Sequence, residues 1–324
     1  MIDRVPTSSF GDLSNLKEYN LSPRQKLLKR IWRERFIYLL VFPGVLFFIV
    51  FKYIPMFGLV LAFKDYSPFI GIQDSPWVGL KHFRTMFDDP EVLRVTRNTL
   101  YISALQIIVV FPIPIALAIM LNEVQNQKYK RTIQSILYLP HFLSWVILIG
   151  IVTIFLRSEG VVNSALGNVF GIDPVPFLIS PNWFAPLVIF EVIWKEAGWG
   201  TIIFLAALAG IDPQLYEASV IDGATRMQRV RDITLPGLRP TIVILLILRL
   251  GNVLDLGFEQ IFLMLNPFNM DVGNVLDTYV YFKGIEQSDF SFAAAVGVVK
   301  GLVGLFLVVG ANRLAKRFGE EGLY

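Results

Sequence analysis

Six separate stretches of this chain are long and apolar, at roughly 36–60, 98–121, 132–156, 183–208, 238–265 and 290–312. A bilayer core takes about 20 mostly apolar residues per helix, because backbone groups inside hydrocarbon must bond within their own segment. The pattern predicts an all-α integral membrane protein with about six transmembrane helices. Charged residues make up 17% of the chain, against about a quarter in soluble domains. The absence of cysteine removes disulfides, thiolate metal sites and cysteine nucleophiles, and two histidines, His82 and His141, are too few for a histidine metal cluster. A net charge of +3 carries no field for nucleic acid. The first apolar block follows about 35 polar residues with no small-residue cleavage pattern behind it, so no cleaved signal peptide is expected.

Basic residues set the orientation, since loops rich in lysine and arginine stay in the cytoplasm. Residues 1–35 hold eight of them, from Arg4 to Arg35. Lys128, Lys130 and Arg131 follow the second stretch; Arg226, Arg229, Arg231 and Arg239 follow the fourth; Arg313, Lys316 and Arg317 lie in the tail. Of the opposite loops, 157–182 and 266–289 hold only Arg157 and Lys283, while the first is more basic (Lys64, Lys81, Arg84, Arg94, Arg97) but long and offset by Asp65, Asp74, Asp88, Asp89 and Glu91. Both termini are therefore expected in the cytoplasm, with 1–35 as an N-terminal segment, 36–312 as the membrane domain and 313–324 as a tail. Pro43 and Pro55 are expected to break the first span, its outer end leaving the membrane near Tyr53. Pro112, Pro114, Pro140 and Pro186 predict kinks in the second, third and fourth. The aromatic and polar run 77–89 is expected at the outer interface, and Asn98 with Thr99 reads as the cap of the second span.

Between the fourth and fifth spans lies a stretch too polar to cross, IDPQLYEASVIDGATRMQRVRDITLPGLRP at 211–240. Asp212-Pro213 is a helix-start signal. A short helix is predicted from Pro213 to about Asp222, a turn at Gly223, a second short helix to about Ile233, and a stop at Pro236 before the fifth span. Such a rigid elbow suits docking into a cleft; read without further context, it is also a plain amphipathic loop.

Here a family resemblance enters. Glu217-Ala218-Ser219, three residues, Gly223, nine residues, then Ile233-x-Leu235-Pro236 resembles the EAA loop of binding-protein-dependent ABC importer permeases, with Ser219 where alanine is usual. LYLPHFLSW (137–145), FEVIWKEAGWG (190–200) and FLAALAGIDPQLYEAS (204–219) are similar to its sugar-importing branch. So are RIWRERFIYLLVFPG (30–44) and FKYIPMFGLVLAFKDY (51–66), and together these segments resemble members that import oligosaccharides from polygalacturonate, aldouronate and alginate breakdown. The resemblance implies a type I importer permease arrangement in the bacterial cytoplasmic (inner) membrane, multi-pass. It implies a second homologous permease, two ATP-binding cassette ATPase subunits, an external solute-binding protein and an oligosaccharide substrate, with no nucleic-acid partner. It also implies that Glu217, Ala218, Ser219, Asp222, Gly223, Ala224, Leu235 and Pro236 couple to the ATPases. No G-x-x-x-x-G-K-[ST] loop occurs, so this chain is expected to be no enzyme and to hold no cofactor, ATP and Mg belonging to the partners.

Ionisable residues at bilayer depth cost about 2.5–3.5 kcal/mol each on insertion scales and face the bundle interior or a cavity. Glu191 and Lys195 stand four apart and can pair on one helix face; Asp255 and Glu259 share that spacing, with Arg249 upstream and Lys300 in the sixth span. These residues, with Trp194 and Trp199 as stacking surfaces for sugar rings, are candidates for a polar substrate path lined by cations that would offset an acidic sugar. Tyr138, Trp145 and Tyr279 are further aromatic candidates. Spacing leaves open that the charges only pair between helices and that the aromatics anchor interfaces. His141 is read as a hydrogen-bonding residue. An intramembrane enzyme finds no nucleophile–base pair or metal motif here. The alternative of a secondary transporter or channel without an ATPase partner commonly brings inverted repeats with paired broken helices, and none is visible.

Overall fold

The computed structural model describes Ser22, Arg24, Leu27, residues 31–317, Gly319 and Gly322, so most of the expected N-terminal segment lies outside it. Among the described residues the protein is helical apart from loops and one isolated bridge, Lys64 to Trp77. Six helical stretches are long and apolar enough to cross a membrane: Arg35–Phe63, Pro90–Asn122, Trp145–Phe170, Pro181–Ala209, Arg226–Gly251 and Phe290–Arg317.

Met1–Val60 and Leu61–Tyr324 form two separate units. The first carries α1 (Arg35–Phe48), none of whose residues is buried. Pro55 does not end the helix: a π turn over Ile49–Tyr53 leads into Ile54–Met56. Proline at position i lacks an N–H and crowds the carbonyl of i−4. One extra residue in the preceding turn moves that carbonyl aside. The same device recurs in the second unit, where π turns over Gln106–Val110 and Val230–Thr234 precede Pro112 and Pro236.

In that unit α2 (Lys81–Asp88) is a short amphipathic helix, followed by α3 (Pro90–Asn122). α3 starts eight residues earlier than the apolar run implies. Asp89 caps it, accepting from Glu91 N at 2.8 Å, and Pro90 opens its first turn. Asn98 and Thr99 are thus not caps but mid-helix side chains. Asn98 Nδ2 donates to Asp271 O (2.8 Å) and Asn274 O (3.0 Å), while Thr99 Oγ1 accepts from Leu276 N (2.9 Å). Asn98→Ala would leave two carbonyls at a buried position without their donor, at about 1–3 kcal/mol. A lowered midpoint of thermal unfolding in detergent, with insertion unchanged, is the expected outcome.

The third apolar stretch is not one helix. α4 (Gln127–Tyr138) gives way to a 3-10 turn at Leu139–Phe142 and an extended Leu143–Ser144, and α5 (Trp145–Leu156) restarts with Ser144 as its cap. Pro140 withdraws a donor where hydrogen bonding would have carried the helix on. α6 (Val161–Phe170) follows, ending at Gly171 with φ +64°. α7 (Pro181–Ala209) runs unbroken through the centre. Its Gly198 meets α4 so closely that a Cβ there would overlap the Leu137 carbonyl.

α8 (Pro213–Ile221) is the first arm of the elbow. The second arm is not a separate helix: from Arg226 the chain is helical to Gly251, forming α9 (Arg226–Gly251), because the π turn absorbs Pro236. The fifth span correspondingly ends near Gly251 rather than 265. A break over 252–257, closed by Gly257 at φ +90°, separates α9 from α10 (Phe258–Met264). α11 (Leu276–Tyr281) and α12 (Phe290–Arg317) complete the chain. One buried cluster joins Ile102 of α3, Leu148 of α5, Phe184 and Val188 of α7 and Ile261 of α10. A second joins Ala118 of α3, Phe204 and Leu208 of α7 and Leu238 of α9 nearer the elbow.

Candidate functional site

The elbow is fixed by short-range bonds that its sequence encodes. Asp212 Oδ1 accepts from Gln214 N at 2.9 Å and starts α8. Gly223 takes φ +78°, a conformation resisted by residues with a Cβ, and its N–H closes on Val220 O at 3.1 Å. Thr225 and Gln228 form a reciprocal capping box that starts α9. Tyr216, on α8, bonds through its hydroxyl to Thr234 Oγ1 of α9 at 3.0 Å, which ties the two arms together. Neither Tyr216 nor Thr234 stands out in sequence, since their meeting depends on the turn between them. Ser219 Oγ donates to Tyr216 O of its own helix at 2.7 Å, which explains how a hydroxyl is tolerated at the position where alanine is usual.

Of the residues singled out in the elbow, Glu217, Ala218, Asp222 and Gly223 are exposed, and Ser219 and Ala224 are half-buried. Leu235 and Pro236 stand lower, exposed on continuous α9. The tip also exposes Ile221 at 87% and Met227 at 75%. Two large apolar side chains thus stand beside Glu217 and Asp222 on the elbow.

The charges inside the bundle are engaged separately, and the expected Glu191–Lys195 pair is not formed. Glu191 is fully buried, and its Oε2 accepts from Gln260 Nε2 at 2.8 Å. Lys195 instead donates to His141 O (2.7 Å) and Leu143 O, carbonyls released by the break at Pro140, and its ammonium lies 5.4 Å from the Trp145 ring. Glu196 Oε1 also lies 3.9 Å from this ammonium, while Glu191 is taken up by Gln260, so Lys195 is hydrogen-bonded and charge-compensated without its i−4 neighbour. Nor do Asp255 and Glu259 share a helix face: Asp255 lies in the break after α9, and Glu259 is exposed on α10. Lys300 bridges Asp255 Oδ1 (2.5 Å) and Asp277 Oδ1. Lys195 and Lys300 are thus engaged as structural cations.

Arg249 is placed differently. At the end of α9 its Nη2 donates to Gln106 Oε1, and its guanidinium lines a groove of about 480 Å³ shared with Glu196, Trp199 and Asn252. Trp199 is 43% exposed, one ring face covered by the His141 imidazole at 4.3 Å and 4°. His141 Nδ1 donates to Glu196 Oε2 at 2.9 Å, which aligns the stack. The groove therefore combines an aromatic wall, a carboxylate, two amides and a cation. Gln106 is one of few polar residues in an apolar run; Asn252 carries no signal in the sequence, because its place at the groove depends on the break after α9. Trp194, though 41% exposed, is not among the groove's lining residues. Trp145 packs in the core, and the Tyr279 hydroxyl donates to Asp89 Oδ2 at 2.8 Å. Burial, reinforced by that carboxylate, pushes the Tyr279 phenol well above its usual range, so it stays a donor.

Residues 108–320 match the profile of the family described as binding-protein-dependent transport system inner membrane component. Among curated proteins, the polygalacturonan/rhamnogalacturonan transport system permease protein YteP of Bacillus subtilis (strain 168) is 48% identical over 301 residues, 93% of this chain and 94% of YteP. Protein LplB of the same organism is 48% identical over 293 residues, 90% of this chain and 92% of LplB. Among solved structures, a chain of a bacterial alginate ABC transporter, in complex with an alginate pentasaccharide-bound periplasmic protein, superposes with a TM-score of 0.84 at 41% identity. That superposition covers 92% of this chain and all of the other. With six membrane-length helices and a profile match over most of its length, the chain belongs to the binding-protein-dependent transport system inner membrane component family.

Proposed function

We propose that this chain is the permease subunit of an ATP-driven importer that passes an acidic, uronate-containing oligosaccharide from an external solute-binding protein into the cytoplasm. It is a multi-pass protein of the bacterial inner membrane and a transport subunit rather than an enzyme. Its partners in this reading are a second homologous permease and two ATPase subunits, which hold ATP and Mg.

The observation that carries the reading is the elbow. With both termini cytoplasmic, it projects from the inner face. It offers Glu217 beside exposed Ile221 and Met227, and it is bonded through Tyr216 and Thr234 to the base of a membrane-length helix. Force applied at Glu217 to Gly223 has a rigid route into the bundle. Closure of the ATPase dimer would push there, and the spans would shift between outward-open and inward-open packings. Ala218, Ser219, Asp222, Ala224, Leu235 and Pro236 complete that contact region.

The substrate class is supported by the groove. Pyranose rings stack their C–H faces on flat side chains, and Trp199 offers such a face. Arg249 has five N–H donors in a planar fork, suited to carboxylates. The relatives named for polygalacturonan/rhamnogalacturonan and for alginate transport handle chains of acidic sugars. Trp194, Glu191, Lys195, Asp255, Glu259 and Lys300, also candidates from the sequence, lie outside the groove lining and carry no part of this substrate reading.

The test is uptake of a labelled oligogalacturonate or oligoalginate into vesicles bearing the assembled complex and loaded with ATP. Accumulation that needs both ATP and the ATPase subunits is expected. Accumulation with the ATPases left out would replace this reading with secondary transport.

A further inference from the structure

The elbow sits at one end of α9 and a break in the backbone sits at the other. α9 has 26 residues, about 39 Å at 1.5 Å per residue. After Gly251 the chain makes tight turns, Asn252 N to Arg249 O at 3.2 Å and Asp255 N to Asn252 O at 2.9 Å, and regains helix only beyond Gly257. Beyond that point the surroundings change in kind. The segment 258–281 is bonded into its neighbours at both ends: Gln260 Nε2 donates to Val188 O of α7 (3.0 Å), and Asn266 Nδ2 donates to Leu178 O (3.0 Å). Asn98 and Thr99 of α3 hold its far end, as described above. These are directional bonds to backbone groups at buried or half-buried positions, and a sliding motion would break them all. Beside α9 the contacts described are mainly of another sort: Leu238 packs on Ala118, Phe204 and Leu208, an apolar contact that tolerates small rotations.

α12 links the two regimes. Its Gly304 meets α9 so closely that a Cβ would come within 2.8 Å of Gly251 O, a backbone-to-backbone crossing at the last residue of the helix. One turn away on α12, Lys300 holds Asp255 in the break and Asp277 in the bonded segment at once. Ser103 of α3 donates to Val253 O, fixing the other side of the break.

We propose that α9 is the lever of the transport cycle, pivoting where Gly251 crosses Gly304, and that Lys300 is the positioning residue holding segment 258–281 still while the lever swings. The inference rests on the elbow receiving force from the ATPases, and adds which element moves, which stays and where the hinge lies. It places Arg249, on the last turn before the hinge, where a small rotation swings its guanidinium relative to Trp199 on α7, so that the groove changes shape when the elbow is pushed.

The chain has no cysteine, so paired cysteines can be labelled uniquely in this subunit. In the assembled importer, electron–electron distances are measured with and without a non-hydrolysable ATP analogue. Arg231→Cys on α9 is paired with Phe268→Cys in the bonded segment, and Phe170→Cys with Phe268→Cys serves as the reference; all three positions are exposed. The lever pair is expected to shift by about 5 Å, the scale of one helical turn, and the reference pair to stay put. In Lys300→Met the reference distance should broaden and shift with nucleotide, and uptake should fall at least about tenfold while ATP hydrolysis continues; Lys300→Arg should restore both. ATP-driven uptake with an unmoving lever pair, or with both pairs moving equally, overturns the lever. A Lys300→Met importer with normal coupling and a fixed reference distance overturns the role of Lys300. Loss of ATP-dependence in the unmutated complex is a separate result that removes the importer reading itself.

Discussion

Glu217→Ala should leave this subunit inserted and folded while ATP-driven uptake falls at least about 30-fold. Glu217 is exposed on the outer surface of α8, with no described partner contact in its own chain to lose, so the subunit's stability should change by less than about 0.5 kcal/mol. At a closed interface with the ATPase, the same carboxylate would be a desolvated hydrogen-bonding anion. Removing one member of such a pair costs about 2–5 kcal/mol, and the lower end is already about 30-fold. The complex should assemble poorly, or hydrolyse ATP without moving sugar. The check compares yield and thermal midpoint of the isolated subunit with uptake by the reconstituted complex. Lowered stability with proportionate loss of uptake would mean that Glu217 only supports the loop; normal coupled uptake would remove it from the coupling contact.

Arg249→Met should act on the cargo instead. Methionine fills much of the aliphatic volume but supplies no donor, so a carboxylate entering the groove loses a charge-assisted bond worth about 1.5–3 kcal/mol. Uptake of uronate oligomers should fall about 10- to 150-fold, while substrate-independent ATP hydrolysis by the assembled complex stays within a factor of about two. A carboxyl-reduced oligomer of the same length should distinguish this from simple damage, because its transport, already weak, should not fall further in the mutant. Equal losses for both oligomers would assign Arg249 to holding Gln106 and not to the cargo. Lys195→Met is the contrasting case: its ammonium serves His141 O and Leu143 O, so it should disturb folding around the Pro140 break.

What could be read from sequence and what could not divides along one physical line. Six apolar runs were visible because the bilayer imposes a length on each span that needs no knowledge of neighbours. The elbow was visible for a similar reason: Asp212-Pro213 starts a helix and Gly223 ends it by local rules. Breaks in membrane helices are another matter. The breaks at 139–144 and 252–257 free carbonyls that Lys195 and Ser103, more than fifty residues away in each case, bond. No local pattern carries that information. The Glu191–Lys195 spacing misled because the i, i+4 rule describes a helix whose side chains compete only with water. Pro236 misled in the opposite sense, since a π turn lets helix run through it. Gathering Gln106, Trp199, Arg249 and Asn252 around one groove depends on both breaks, so the groove's membership was the least legible part.

The most direct test of the account is whether the elbow touches the ATPase. Ile221→Cys places a single thiol on the exposed tip of a chain that otherwise has none. In the assembled importer, a short bifunctional reagent should join this subunit to an ATPase subunit, with a yield that changes when ATP closes the motor. An assembled complex that transports sugar yet forms no such link, while a cysteine on the opposite face of the membrane reaches the ATPase, would contradict it.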